Sequence, residues 1–152
     1  MRLGRRIAVD FGAARIGVAM STVDGILSSP LATVPAGIEA AQEVANLITE
    51  HLAIEVYVGL PLNLSGEFTK STELALLFAK ELLNLVDTEV RLIDERLTTR
   101  AAQGQMHSSG RNTKQSRGLI DAAAASLILE GAIAFEKSTG QQPGKPVSEF
   151  DA

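Results

Sequence analysis

The pattern of apolar and polar positions in the first third of the chain predicts three successive strands. Two apolar runs, residues 6–11 and 14–21, are separated by a short turn that contains Gly12, and this pattern predicts a β-hairpin. A third extended run, residues 26–34, contains Pro30, which favours an edge position or an irregular strand. Three consecutive strands predict an antiparallel meander.

The rest of the chain alternates helical and extended patterns. Residues 54–60 are β-branched and apolar on both faces, as a buried parallel strand would be, and residues 89–94 predict a further strand. Apolar residues at helical spacing predict four helices: one from residue 38 to about 52, one over about 70–86 with Thr69 or Ser71 as its N-cap, one from residue 95 onwards, and one over about 116–137.

This order of elements favours an α/β fold with a mixed five-stranded sheet, in which three antiparallel strands are followed by parallel additions and helices pack on the sheet. The length of 152 residues suits one domain, which we place at residues 1–137. Residues 108–117 are polar and predict a loop. The tail 138–152 lacks hydrophobic periodicity, so we expect it to be disordered.

Composition narrows the class of protein. The chain has no cysteine, which excludes a disulfide framework and a thiolate metal site. No apolar run approaches the roughly 18 residues of a membrane helix, and the N-terminus lacks the apolar stretch and cleavage site of a signal peptide. We therefore expect a soluble, cytoplasmic protein with no membrane partner.

The net charge of −4 is unevenly distributed along the chain. Residues 91–117 carry six basic and two acidic side chains, and residues 1–20 carry four arginines and one aspartate, whereas residues 21–90 carry ten acids and two lysines. A solvated surface accounts for such asymmetry by itself. An acidic protein can nevertheless present a basic face to an anionic partner.

Three acidic residues lie where a solvated charge is not expected. Asp10 falls within an apolar strand, Glu95 directly follows the strand VRLI, and Asp121 lies near the start of the last helix beside small residues. Each has a structural explanation: Asp10 can accept hydrogen bonds from the turn that follows it, and the other two favour helix N-termini. Three such acids at one sheet edge are better explained by a shared cation, because clustered carboxylates repel one another.

A divalent cation held by carboxylates points to phosphodiester hydrolysis. Mg²⁺ binds carboxylate and phosphate oxygens, and in a two-ion site one ion activates a water while the other stabilises the leaving oxygen. Basic side chains near these acids would contact the phosphates of a nucleic acid. The candidates for this role are Arg15, Arg96, Arg100, Arg111, Lys114 and Arg117.

Four sequence blocks, taken in order, closely resemble the YqgF/RuvX family of Holliday-junction resolvases and pre-16S rRNA nucleases. The blocks are RIAVDFGAARIGVAMS, VYVGLPLNLSG, LIDERLTTRAA and GLIDAAAASLIL, and they fall within residues 5–130. The resemblance implies a ribonuclease H-like fold related to the RuvC resolvase. It also implies a metal-dependent nuclease.

The resemblance further implies roles for particular residues. Asp10, Glu95 and Asp121 would be the catalytic acids that bind Mg²⁺ or Mn²⁺, with two ions in the site. Asp94 has the opposite strand parity to Glu95, so we expect it to support the site rather than bind the metal. The loop GLPLNLSGE would border the site. The DERLTT block also places Arg96, Thr98 and Thr99 near it.

The sequence leaves the substrate open. The same site would hydrolyse pre-16S rRNA in 5′-end maturation, which the resemblance favours, or a DNA four-way junction. A nucleic-acid-binding module without catalysis is a further alternative, although three acids facing phosphate argue against it. The start VDFGAARIGVA also resembles the phosphate loop of sugar kinases and actin-like ATPases, but those proteins need two domains. The sequence does not distinguish a monomer from a homodimer.

Overall fold

A mixed β-sheet with helices on both faces organises the chain. The computed structural model describes the backbone of residues 1–96 and 113–150 and the side chains of residues 1–96 and 122–150. The strands are β1 (Arg6–Phe11), β2 (Arg15–Ser21), β3 (Ser28–Pro35), β4 (Glu55–Leu60), β5 (Glu89–Asp94) and β6 (Lys145–Pro146), and the helices are α1 (Ala40–Glu50), α2 (Lys70–Leu83), α3 (Thr113–Thr139) and a short 3-10 helix (Val147–Phe150).

The sheet combines an antiparallel and a parallel half, as the sequence predicted. Its strand order is β3-β2-β1-β4-β5-β6. The pairs β1–β2 and β2–β3 are antiparallel, and β1–β4 and β4–β5 are parallel. Strand β3 lies at an edge, where Pro30 is tolerated, and the β2–β3 register shifts between Val18 and Ala19. The carboxyl ends of β1, β4 and β5 therefore meet at one edge of the sheet.

Side-chain alternation divides the sheet into two buried faces. Ile7 and Val9 of β1 lie in the larger core, which is covered by α1 and α2. Ala8, between them, lies in a second core with residues of α3. Strand β4 is buried on both faces, in agreement with the prediction of a central parallel strand. Because Asp10 shares the parity of Ala8, its side chain belongs to the face that α3 covers.

The first two helices are slightly shorter than predicted. Ile38 and Leu52 are exposed and lie outside α1, because the helix begins at Ala40 and ends at Glu50. In α2 the buried face includes Ala75, Phe78 and Leu82, whereas Leu74 and Leu77 lie on the exposed side of the helix. The predicted N-cap is confirmed at Thr69, which forms a capping box with Thr72.

The predicted third strand is confirmed at Ser28–Pro35, within two residues of its expected bounds. Two other sequence predictions, both about irregular segments, differ from the structure. Residues 113–117 belong to α3, so the predicted polar loop 108–117 is at least partly helical, while residues 108–112 lie outside the described residues. The expected disordered tail is ordered to Phe150 and supplies the sixth strand.

The tail is ordered because two kinds of contact hold it against β5. Val147 is 1% exposed and lies in the larger core. The Arg91 guanidinium donates hydrogen bonds to the carbonyl oxygens of Pro143 (2.6 Å) and Gly144 (2.9 Å). Such contacts leave no periodic pattern in so short a segment, which explains why the sequence did not predict them.

We expect Val147→Ala to lower the free energy of unfolding by about 2 kcal/mol, because it removes two buried methyl groups and leaves a cavity. The neighbouring exposed residue allows a matched control, since Ser148→Ala should change stability by less than about 0.5 kcal/mol. Urea unfolding of both variants provides the measurement. Equal stabilities for the two variants would show that the tail does not pack.

The opposite end of the sheet holds a buried network of charges. Arg6, Glu55 and Glu136 are each 3% exposed or less. Glu136, near the end of α3, accepts hydrogen bonds from Arg6 (3.0 Å) and Arg2 (2.6 Å), and Arg2 also pairs with Glu55 (2.9 Å). Two of the four arginines in residues 1–20 are therefore structural, so the basic surface predicted for this segment is smaller than its composition indicates.

Among the helices that the structure describes, none combines the length and the apolar character that spanning a membrane requires.

Candidate active site

Two of the three predicted acids meet at the carboxyl edge of the sheet. Asp10 lies near the end of β1, and Glu95 immediately follows β5. The backbone N–H of Glu95 donates to the carbonyl of Leu60 (3.1 Å), which extends the β4–β5 ladder by one residue. The Glu95 side chain reaches back over β4 and forms a side-chain hydrogen bond with Asp10. The sheet thus brings together residues 85 positions apart.

The electrostatics of this pair are those of two neighbouring carboxyl groups whose charged forms repel each other. Burial raises the pKa of Glu95 well above its ordinary value, and the hydrogen bond and negative charge of Asp10 raise it further, with a smaller contribution from Asp94. Burial and the neighbouring carboxyl group of Asp10 therefore both favour the protonated form of Glu95. A cation placed between the two groups would replace that proton, since oxygen ligands of this kind suit Mg²⁺ and Mn²⁺.

The third predicted acid, Asp121, lies in α3, and its side chain is outside the described residues. The direction of the helix is nevertheless clear. Glu136, near the helix end, pairs with Arg6 at the start of β1, whereas Ile128 lies above Gly59 near the end of β4. Residue 121 precedes Ile128 by about two turns, so the helix backbone carries it towards the end of the sheet that holds Asp10 and Glu95.

Asp94, which precedes Glu95, forms an ion pair with Arg96. The Arg96 guanidinium donates to both carboxylate oxygens of Asp94, at 2.6 to 3.1 Å, and the Arg96 backbone N–H donates to Oδ1 at 2.9 Å. These hydrogen bonds lower the pKa of Asp94. Asp94 is therefore ionised and oriented by an arginine, which agrees with the supporting role expected from its strand parity.

The loop after β4 borders this ion pair. Asn63 Oδ1 accepts hydrogen bonds from the backbone N–H groups of Ser65 (3.1 Å) and Glu67 (2.8 Å), so the turn is held by one side chain. Gly66 has a φ of +84°, and a Cβ placed there would lie 3.1 Å from Nη1 of Arg96. The loop backbone thus lies against the arginine adjacent to Glu95.

For the other predicted basic residues, the structure describes the position of the backbone in some cases and nothing in others. Arg15 begins β2 and lies at the same end of the sheet as Asp10, because Phe11 pairs with Ile16 across the hairpin. Lys114 and Arg117 lie in the first turns of α3, with side chains outside the described residues. The other residues predicted near the site, Thr98, Thr99, Arg100 and Arg111, lie in residues 97–112, outside the described residues, as does most of the helix expected from residue 95.

No group of three Asp, Glu, His or Cys residues able to hold a metal is found where side chains are described, residues 1–96 and 122–150. The described side chains therefore bring together two of the three acids that the sequence singled out. One further residue of the site was not singled out from the sequence. Gly59 lies on β4 between the two acids, and the available signal was a glycine inside an otherwise bulky buried strand.

The chain has a ribonuclease H-like fold, which it shares with solved structures of RuvC. RuvC from Thermus thermophilus in complex with Holliday junction substrate matches 94% of this chain and 99% of its own length, with a TM-score of 0.59 and 14% sequence identity. A second T. thermophilus RuvC structure matches with a TM-score of 0.56 and 16% identity, over 93% of this chain and 99% of that one. At this level of identity the likeness concerns the fold.

The chain belongs to the RuvX family, described as Holliday junction resolvase, whose model matches residues 4–134. A relative from Leifsonia xyli subsp. xyli is 44% identical over 149 residues, covering 97% of this chain and 96% of the relative. A relative from Streptomyces avermitilis is 43% identical over 150 residues, with the same two coverages. Both relatives are provisionally named pre-16S rRNA nucleases. Membership confirms the family resemblance and the nuclease class expected from the sequence.

Proposed function

We propose that this protein is a metal-dependent nuclease that hydrolyses phosphodiester bonds in structured nucleic acid, with the 5′ end of pre-16S rRNA as its substrate. The single observation that carries the proposal is the contact between Asp10 and Glu95. Two neighbouring carboxyl groups at a sheet edge are poorly suited to a structural role, because burial and mutual repulsion both disfavour their charged forms. The same pair is well suited to hold a cation.

We assign the metal ligands to Asp10, Glu95 and Asp121. The first two provide oxygen ligands in contact with each other, and α3 carries the third towards the same end of the sheet. When bound there, two Mg²⁺ or Mn²⁺ ions would activate the attacking water and stabilise the leaving oxygen. Asp10 is placed to orient such ions because it lies on the rigid β1 strand rather than on a loop.

Arg96 is the described side chain best placed to hold the substrate backbone. It adjoins Glu95 in sequence, its side chain is 38% exposed, and Asp94 fixes its guanidinium by a bidentate contact. A pre-oriented guanidinium with free N–H groups suits a phosphate oxygen. Arg15, Arg100, Arg111, Lys114 and Arg117 would extend this basic surface along the nucleic acid.

The choice of RNA rests on the relatives, since both are named for pre-16S rRNA. A DNA four-way junction is the second candidate, favoured by the family description and by the fold shared with RuvC. The acid pair alone does not discriminate between them, because both substrates present the same phosphodiester. Action on a symmetric junction would favour a homodimer, whereas trimming of one RNA end requires only a monomer.

We therefore expect wild-type protein to cleave a pre-16S rRNA 5′ fragment in Mg²⁺ or Mn²⁺ and to leave a DNA four-way junction intact. Cleavage should stop in EDTA and in Asp10→Asn, which removes a ligand charge while keeping the side-chain shape. The measurement is a side-by-side gel assay of both substrates under each condition.

The alternative outcomes of this assay are distinct. Cleavage of the junction alone would replace the RNA proposal by a resolvase. Metal-independent cleavage, or undiminished cleavage by Asp10→Asn, would contradict the metal site. Salt-sensitive binding of either substrate without any cleavage would instead indicate a module that binds nucleic acid but does not cut it.

A further inference from the structure

We infer that Gly59 is a positioning residue, whose missing side chain leaves the space through which Glu95 reaches Asp10. The inference rests on the proposed function, since it concerns how the metal-binding pair is assembled. Gly59 has no side chain, so its contribution to the site is the space that a side chain would otherwise fill.

The strand order shows why such a space is needed. Strand β4 lies between β1, which carries Asp10, and β5, which Glu95 follows. Neighbouring strands are about 4.8 Å apart, so β1 and β5 are separated by about 10 Å. The Glu95 side chain must therefore cross the surface of β4 to reach its partner.

Gly59 occupies the point of crossing. It has the parity of Tyr57, which lies in the core beneath α3, so a side chain at position 59 would project towards the acid pair. A Cβ placed on Gly59 would lie 2.5 Å from Oε1 and 2.8 Å from Cγ of Glu95. Both separations are well inside van der Waals contact, so even alanine would push the Glu95 carboxyl out of its present position.

The same Cβ would also meet α3. It would lie 2.7 Å from Cδ1 of Ile128 in α3. Gly59 has no positive φ, so the strand backbone itself accepts a larger residue. The requirement for glycine at this position is therefore one of space.

The test is Mn²⁺ binding by Gly59→Ala, measured by calorimetry with the metal alone. We expect affinity to fall by about 10- to 100-fold, the range seen when residues that orient metal ligands are changed. Cleavage by the metal-loaded variant should fall as well, and a crystal structure should show Glu95 displaced from Asp10. Affinity within about twofold of wild type, or an undisplaced Glu95, would overturn the inference.

Two further variants separate positioning from loss of stability. Val58→Ala alters the same strand on the opposite, fully buried face, and should lower the melting temperature while leaving Mn²⁺ affinity unchanged. In Gly59→Ala with Ile128→Ala the helix contact is relieved but the contact with Glu95 is not, so binding should stay weak in a protein that folds. Recovery of affinity in that double variant would show that α3, and not Glu95, is what the glycine accommodates.

The inference and the proposed function fail in different ways. A wild-type protein that binds no Mn²⁺ would contradict the proposed metal site. The position of Glu95 in the crystal structure of Gly59→Ala would still decide whether Gly59 controls the contact between the two acids.

Discussion

Glu95→Gln is expected to unfold at a higher temperature than the wild-type protein in EDTA while losing nuclease activity. In the wild type the Glu95 carboxyl is buried against Asp10, so its charged form is disfavoured by desolvation and by repulsion. Glutamine keeps the shape, carries no charge and can donate an amide N–H to Asp10 as the protonated acid does. Removing such a conflict typically stabilises a protein at the expense of its function.

The difference in stability between Glu95→Gln and the wild-type protein should grow as the pH rises. The pKa of Glu95 in the folded protein lies well above its ordinary value of 4.5, so between these two values the folded state binds more protons than the unfolded state. The stability of the wild type therefore falls as pH rises through this window, whereas that of Glu95→Gln does not carry this dependence. Thermal unfolding at several pH values should give a difference of about 1–3 kcal/mol near pH 8, and little below pH 4.5.

Added metal and a substitution of an exposed glutamate provide the controls for Glu95→Gln. Saturating Mg²⁺ or Mn²⁺ should raise the melting temperature of the wild type more than that of Glu95→Gln, because only the wild type retains both charged ligands. Glu81→Gln, an exposed change on α2, should leave both stability and activity unaltered. A destabilised Glu95→Gln at pH 8 would mean that the acid pair is not a source of repulsion.

The fold was predictable from sequence wherever periodicity was strong. The antiparallel hairpin, the doubly buried β4 and the later parallel strands all follow from apolar patterns that the structure confirms. The sixth strand was not predictable, because β6 contains two residues and is held by hydrogen bonds from Arg91 to backbone carbonyls. The last helix begins at Thr113, and its residues 113–115, before the predicted start near 116, were missed because their polar composition resembles that of a loop.

The contact between Asp10 and Glu95 follows from the sheet order that the sequence predicted, whereas the ligand roles assigned to these acids stay predictions. A carboxylate inside an apolar strand is costly unless it has a partner, which makes Asp10 a candidate site residue from the sequence alone. Asp94 and Glu95, which have opposite strand parity, have different partners in the structure, Arg96 and Asp10. Gly59 was missed because its role depends on strand order, which places β4 between the two acids. No local pattern reports which strands are neighbours.

Glu136→Ala is expected to lower the free energy of unfolding by about 3–5 kcal/mol, the typical cost of removing one partner of a buried ion pair. Glu136 is 3% exposed and its partner Arg6 is fully buried, so the variant would leave a guanidinium in the interior without its carboxylate. Glu130→Ala, on the exposed face of the same helix, is the matched control and should change stability by less than about 0.5 kcal/mol. Urea unfolding at neutral pH gives both values.

Lowering the pH should weaken the ion pair between Glu136 and Arg6 in the wild-type protein, and this should reduce its free energy of unfolding. Burial opposes ionisation of Glu136, but hydrogen bonds from Arg2 and the charge of Arg6 outweigh it and lower the pKa to about 2, against an ordinary value of 4.5. A lowered pKa stabilises the folded state above the ordinary value, and this contribution is lost as pH falls from about 4.5 towards 2. The stability difference between wild type and Glu136→Gln should therefore narrow over that range. A difference that stays constant from pH 5 to pH 2 would mean that the carboxylate charge does not hold α3 to the start of β1.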